Sequence, residues 1–191
     1  MRKIVSSIIM SLDNFAASPD GGLNMFQVDQ EFFDMSTTLC EAADTALYGK
    51  GTYYIMQSYW PTAADKADAS AHEKQHSAWY NHVPKYVLSK TLKSTEAPNA
   101  FIIRENVVEE LKKLKEQEGK NIQIFGSPGV VRSLTQEGLI DEYWIFVYPV
   151  ILGNGIPLFK DIKKQIDLTL VSAKILKSGA VALHYIKGNK K

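Results

Sequence analysis

Strand-like and helix-like segments alternate along most of the chain, and the last two strand-like stretches are separated only by the turn residues Lys177-Ser178-Gly179. Such alternation joins parallel strands through helical crossovers, whereas a short turn joins antiparallel neighbours. Together they predict an α/β fold: a mixed, mainly parallel sheet flanked by helices, with a C-terminal antiparallel hairpin. The 191 residues suit a single domain, residues 1–191, with neither an internal repeat nor a linker.

Residues 4–12 open the chain as a buried strand, and Ser18-Pro19-Asp20-Gly21-Gly22 forms a turn cluster. In residues 28–43, Phe32, Phe33, Met35, Leu39 and Ala43 recur at helical spacing. The short strand Ala46-Leu47-Tyr48 ends at Gly49, and residues 52–59 form a helix stopped by Pro61. Residues 62–82 are polar and alanine-rich, and the stretch at 65–77 reads as a surface segment. Strands follow at 86–89 and 101–103. Asn106 as N-cap, Glu109 as its capping-box partner and Gly119 as the stop then delimit a helix with Val107, Leu111 and Leu114 on one face. A strand at 122–125 leads into a helix at 130–137 ended by Gly138, and strands at 142–148, 168–176 and 181–186 close the chain.

The apolar share of 45% and the charged share of 23% are those of an ordinary globular protein. A net charge of +1 argues against a nucleic-acid or membrane-surface binder, so the expected partner is a small-molecule substrate. The single cysteine, Cys40, excludes an internal disulfide framework, fits a cytoplasmic location and reads as a packing residue. The apolar run at residues 4–10 is interrupted by Ser6 and Ser7 and followed by Asp13, a strand rather than a signal peptide. No stretch approaches the ~20 apolar residues that span a bilayer. The aromatic strand Tyr143-Trp144-Ile145-Phe146 and an exposed sheet edge lead to the expectation of a homodimer.

Gly126-Ser127-Pro128-Gly129-Val130 is the most informative segment. It joins a buried strand to a helix, with Ser127 suited to N-cap and Pro128 to the first helical position. Gly126 and Gly129 leave the backbone bare, so free N–H groups and the positive helix end form a candidate anion site. Gly49-Lys50-Gly51-Thr52 and Ser89-Lys90-Thr91 also follow strands, each offering a cation and a hydroxyl. Gathered at one sheet end, these turns suit a polyanion, with Lys50 and Lys90 on a terminal phosphate. Read singly, each is an ordinary capped turn or a solvated lysine.

Several segments, taken in order, resemble the dihydrofolate-reductase-like superfamily, and within it the reductase domain of the riboflavin-biosynthesis enzyme. Residues 11–17, Ser-Leu-Asp-Asn-Phe-Ala-Ala, are similar to the family's S-L-D-G-x-I-A. Residues 47–53 are similar to L-L-G-R-x-T-Y, residues 59–61 to its aromatic-proline stop, and residues 87–92 to V-x-S-R-T-L. Residues 139–142 and 149–155 are similar to L-I-D-E and P-V-x-L-G-x-G. The resemblance implies a dihydrofolate-reductase-like sheet, NADPH, and hydride transfer to a heterocycle or a sugar-derived carbon. It places the pyrophosphate at Gly126, Ser127, Pro128, Gly129 and Val130, and the adenosine phosphates at Gly49, Lys50, Thr52, Ser89, Lys90 and Thr91. Ala16 and Ala17 would flank the nicotinamide, and Asp13 would be the candidate catalytic residue beside the substrate. Lysine stands where the family carries arginine at both phosphate positions, Asn14 where it has glycine, and Phe125 where the riboflavin reductases have an acidic residue. Neither a deaminase domain nor a Cys-x-x-Cys zinc site is present.

One motif points elsewhere. His72-Glu73-Lys74-Gln75-His76 matches the H-E-x-x-H of zinc proteases, with His82 at the place of a third ligand. Trp79 stands where the longer motif needs glycine, and no methionine follows Met56. The polar surroundings also argue against a helix packed on a core, so no metal site is expected. A zinc metalloprotease and a catalytically inactive nucleotide-binding protein remain as alternatives to the reductase.

Overall fold

The computed structural model describes residues 1–188. Its strands are β1 (Ile4–Ser11), β2 (Phe15–Ala17), β3 (Ala43–Gly49), β4 (Lys85–Leu88), β5 (Ala100–Ile103), β6 (Asn121–Phe125), β7 (Glu142–Tyr148), β8 (Ile156–Pro157), β9 (Leu168–Ile175) and β10 (Val181–Lys187). Between them lie α1 (Gln30–Glu41), α2 (Lys50–Tyr59), a 3-10 helix (Trp60–Asp65), α3 (Ala71–His82), α4 (Val107–Glu116) and α5 (Pro128–Gln136).

Eight strands form one sheet in the order β5-β4-β3-β6-β1-β7-β10-β9, and β2 pairs with β8 beside it. The pairs from β5 to β7 are parallel, and β10 is antiparallel to both β7 and β9. This is the mixed, mainly parallel sheet with a C-terminal antiparallel pair that the sequence predicts. β6 enters between β3 and β1, although six elements of chain separate it from β3.

Side chains alternate across each strand, so both faces need cover. Tyr143 and Ile145 of β7 join Leu111 and Leu114 of α4 and Val131 and Leu134 of α5 on one face. Phe146 and Tyr148 of the same strand join Phe26, Phe32 and Met35 on the other, under α1. Tyr48, Tyr53, Tyr80 and Val87 pack α2 and α3 onto the β3–β4 half. The aromatic segment at 143–146 is therefore interior to the sheet, between β1 and β10, and not a free contact surface.

Three local expectations are corrected. Asn106 adopts a left-handed conformation (φ 51°) and makes no side-chain cap, so the Asn106–Glu109 capping box is absent. A complete box forms instead at α3, where Ser70 and Glu73 bond reciprocally. Residues 65–77 are no mere surface segment: they run into α3, which buries His72, His76, Ser77 and Tyr80, a face that a hydropathy pattern does not flag. Residues 28–43 are less helical than their spacing suggests, because Asp29 caps α1 at Phe32 N and Ala43 already belongs to β3.

Candidate active site

The carboxyl ends of β1, β3, β4, β5 and β6 open onto a cleft of about 1130 Å³. That volume exceeds the roughly 300–1,000 Å³ of a usual single-ligand pocket, leaving room for two ligands side by side.

The turn after β6 has an unusual backbone. Gly126 and Ser127 are both left-handed, at φ 66° and 56°. Ser127 stands at the N-cap and Pro128 opens the helix as expected, but the Ser127 side chain makes no bond to its own helix. Its Oγ instead accepts the backbone N–H of Gly49, at 3.0 Å, tying the turn after β6 to the turn after β3. The turn is also tightly packed at Gly49, where a Cβ would lie 3.1 Å from Val130 Cγ2 and push it back by a few tenths of an ångström. Gly126 N–H donates to Ser7 O of β1 at 2.9 Å, fixing the other side. Pro128 opens α5, so the N–H groups of Gly129 and Val130 belong to its first turn and lack helical partners. A Cβ on Gly129 would meet nothing within 4 Å, and both residues line the cleft. An open, bare helix start of this kind fits a phosphate group.

The neighbouring turns converge on it. Thr52 lies in van der Waals reach of Gly126, its Cγ2 being 3.6 Å from a Cβ built there. Ser89 Oγ accepts from the N–H groups of Thr91 (3.2 Å) and Leu92 (3.0 Å). Lys50 Nζ donates to Thr91 Oγ1 at 3.4 Å, which joins the turns after β3 and β4. Gly49, Thr52, Ser89 and Lys90 line the cleft, whereas Lys50 and Thr91 are exposed and do not line it. Arg104, just after β5, also lines it while donating to the carbonyls of Leu92 and Lys93. Sequence reading passed over Arg104, although it repeats the cation-after-strand pattern of Lys90.

Ala16 and Ala17 of β2 are buried and line the cleft. Asp13 is not among the lining residues. Its carboxylate accepts from Ser11 Oγ (2.6 Å), Leu152 N (3.1 Å) and Gly153 N (2.7 Å), anchoring the loop before β8. The bond from Ser11, with those from the loop, holds its pKa below the usual carboxylate value. Asn14 is left-handed at φ 72°, and its amide both donates to Phe159 O and accepts from Phe159 N. Asparagine thereby supplies the backbone angle that glycine would, plus two cross-links.

The wall contributed by α1, the 3-10 helix and α3 was missed from sequence. Phe33, Trp60, His72 and His76 line it. His72 Nδ1 lies 3.1 Å from Thr37 Oγ1, and His76 Nδ1 lies 3.5 Å from Cys40 Sγ. Burial lowers the pKa of both rings, that of His76 to about 3. Glu73 is not with them: it bonds Tyr59, Ser70 and Lys66 on the exposed side. Among the described residues, no three His, Cys, Asp or Glu side chains are grouped to hold a metal ion. None of the described helices is long and apolar enough to cross a membrane.

A mainly parallel sheet closed by an antiparallel pair is a fold this chain shares with solved riboflavin-biosynthesis proteins. Residues 2–182 match the model of the RibD C-terminal domain, and the chain belongs to that family. The uncharacterized protein YyaP of Bacillus subtilis is 32% identical over 186 residues, 96% of this chain and 94% of its own. A putative riboflavin biosynthesis protein from Shewanella sp. PV-4 superposes with a TM-score of 0.73 at 22% identity, over 99% of this chain and all (100%) of that one. A diaminohydroxyphosphoribosylaminopyrimidine deaminase/5-amino-6-(5-phosphoribosylamino)uracil reductase from Thermotoga maritima superposes at 0.67 and 13% identity, over 98% of this chain and 57% of that one. These structural likenesses concern the fold.

Proposed function

We propose that this protein is a cytoplasmic NADPH-dependent reductase that transfers hydride to a small heterocyclic or sugar-derived substrate, related in chemistry to the uracil-reductase step named for the Thermotoga protein. The carrying observation is the Ser127–Gly49 bond, which makes two strand-end turns one rigid anion cradle with the Lys90 turn beside it.

In this reading the N–H groups of Gly129 and Val130 take the pyrophosphate, as donors at a positive helix end. Ser89, Lys90 and Arg104 take the further phosphate, while the Lys50–Thr91 bond joins the two neighbouring turns outside the cleft. Ala16 and Ala17, with minimal side chains, form the flat floor against which the nicotinamide lies. When bound, the cofactor supplies the hydride, and the protein's part is orientation and exclusion of water. Asp13 holds the loop at 152–153, so solvent is the proton source in this scheme. The chain is further proposed to act as a homodimer paired along β9, whose Leu170, Val171 and Ile175 are exposed at the sheet edge.

Thermal unfolding with NADPH or NADH tests the reading. At 100 times its dissociation constant a ligand stabilises the folded state by ~2.7 kcal/mol. Absence of any shift with either nucleotide would remove the reductase assignment.

A further inference from the structure

Five buried side-chain polar atoms among the described residues lack a partner, and only one, His76 Nε2, belongs to a residue lining the cleft. Buried polar atoms are paired with few exceptions, and an orphan beside a cleft points to a ligand that completes it. The other ring nitrogen lies 3.5 Å from Cys40 Sγ. Burial raises the Cys40 pKa well above its ordinary value, so the sulfur keeps its hydrogen and offers it to Nδ1. With the thiol hydrogen turned to Nδ1, the ring hydrogen is on Nε2, as a donor. Burial also keeps this ring uncharged, with His72 adding to the effect.

The surroundings set the shape and charge of what fits. The His76 ring stacks on Trp60, with centroids 3.8 Å apart and 22° between planes. His72 stacks on Phe33 at 4.6 Å. Flat, neutral and aromatic, this wall suits a planar ring. The charged residues lining the cleft are Asp20, Lys90 and Arg104. Both cations belong to the turns after β4 and β5, and Asp20 lies on the loop between β2 and α1, where it disfavours an anion. The histidine wall therefore offers no cation to a substrate phosphate.

We propose that His76, with its hydrogen on Nε2, donates to a ring carbonyl of an uncharged planar heterocycle seated against Trp60 and Phe33, and that this wall selects against a phosphorylated substrate. This rests on the reductase reading, which assigns Lys90 and Arg104 to the cofactor. It also separates this chain from the Thermotoga enzyme, whose name specifies a phosphoribosyl group.

Riboflavin and riboflavin 5′-phosphate are matched probes, sharing a fluorescent three-ring dione and differing by one phosphate. Each is titrated into protein saturated with NADP⁺, following the quenching of flavin fluorescence. Riboflavin is expected to bind at least tenfold more tightly than its phosphate. His76→Phe keeps an aromatic ring but removes the donor, and should weaken riboflavin about tenfold while NADP⁺ affinity stays unchanged. His76→Gln retains an N–H donor and should recover most of the loss. Equal or tighter binding of the phosphate, undetectable binding of riboflavin, or unchanged riboflavin affinity in a folded His76→Phe protein each overturns the proposal. The comparison of the two probes uses unaltered protein and stands even if a variant fails to fold. Loss of NADP⁺ binding in the unaltered protein is a different result, and brings down the reductase reading as well.

Discussion

The hydroxyl of Ser127 accepts the backbone N–H of Gly49 at 3.0 Å, although 78 residues separate them. A short polar side chain on a left-handed residue thus crosses between two strand ends, holding the candidate phosphate turns in register.

Removing that acceptor strands the Gly49 N–H in a part-buried position. Ser127→Ala is expected to destabilise the fold by about 1–3 kcal/mol, the cost of an unsatisfied buried donor, and to weaken NADPH binding. Gly129→Val is expected to leave urea stability nearly unchanged, since a Cβ there meets nothing within 4 Å, yet to crowd the nucleotide. Unaltered NADPH affinity in folded Gly129→Val would take this turn out of the site.

Lys90 lines the cleft and Lys50 lies outside it, so their substitution should not be equivalent. Lys90→Ala is expected to weaken NADPH by about ten- to a hundredfold, matching a charge-assisted bond of roughly 1.5–3 kcal/mol, and to spare NADH. Lys50→Ala should show the same preference at smaller amplitude. Isothermal titration at two salt concentrations checks this, because the NADPH contact is the more salt-sensitive. Equal losses for both nucleotides would move the lysines to the shared pyrophosphate.

Burial lowers the pKa values of His72 and His76 in the folded chain, the latter to about 3. Above the unfolded value of about 6.5 neither state is protonated and stability is complete. As pH falls below it the unfolded chain binds protons that the folded chain refuses, so stability falls towards pH 3. The slope approaches about 1.4 kcal/mol per pH unit for His76, and His72 adds to it in the same direction. Urea midpoints at about pH 7, 6 and 5 should decline, and His76→Phe should flatten the decline. A level profile over that window would show that the rings accept protons in place.

Edge strands with exposed apolar side chains pair with other chains unless something covers them. β9 leaves Leu170 and Val171 each 52% exposed and Ile175 77% exposed. Sedimentation should therefore find a dimer, and Val171→Lys should shift it towards monomer. A monomer at tens of micromolar protein would leave the edge unpaired.

The β6–turn–α5 unit was legible because each local signal agreed: a buried apolar strand, bare glycines, and proline at the first helical position. Even there Ser127 misled, since its residue type suits a cap but its left-handed backbone turns the side chain towards Gly49. α3 was hard to read because its buried side is made of histidine, serine and tyrosine, which carry little hydropathy signal. The spacing of His72 and His76 did report a shared helical face, and suggested a metal motif where the structure has aromatic stacking. Asp13 illustrates the opposite case: the motif around it was visible, while its engagement with the distant loop at 152–153 depends on tertiary contacts.

The placement of β6 bears on how the molecule assembles. β5, β4 and β3 form one block and β1, β7, β10 and β9 another, and within the sheet only β6 bridges them. During synthesis the first block can gather early, but it stays unattached to β1 until residues 121–125 emerge. Threading a strand between two waiting edges is a late, non-local event, the kind that slows folding. The anion turn begins immediately after the last residue of that bridging strand. On the proposed function, a nucleotide held there would act as a clasp on the seam: the occupancy that readies the cleft would also delay the parting of the two blocks, and amide exchange along β6 would slow with it.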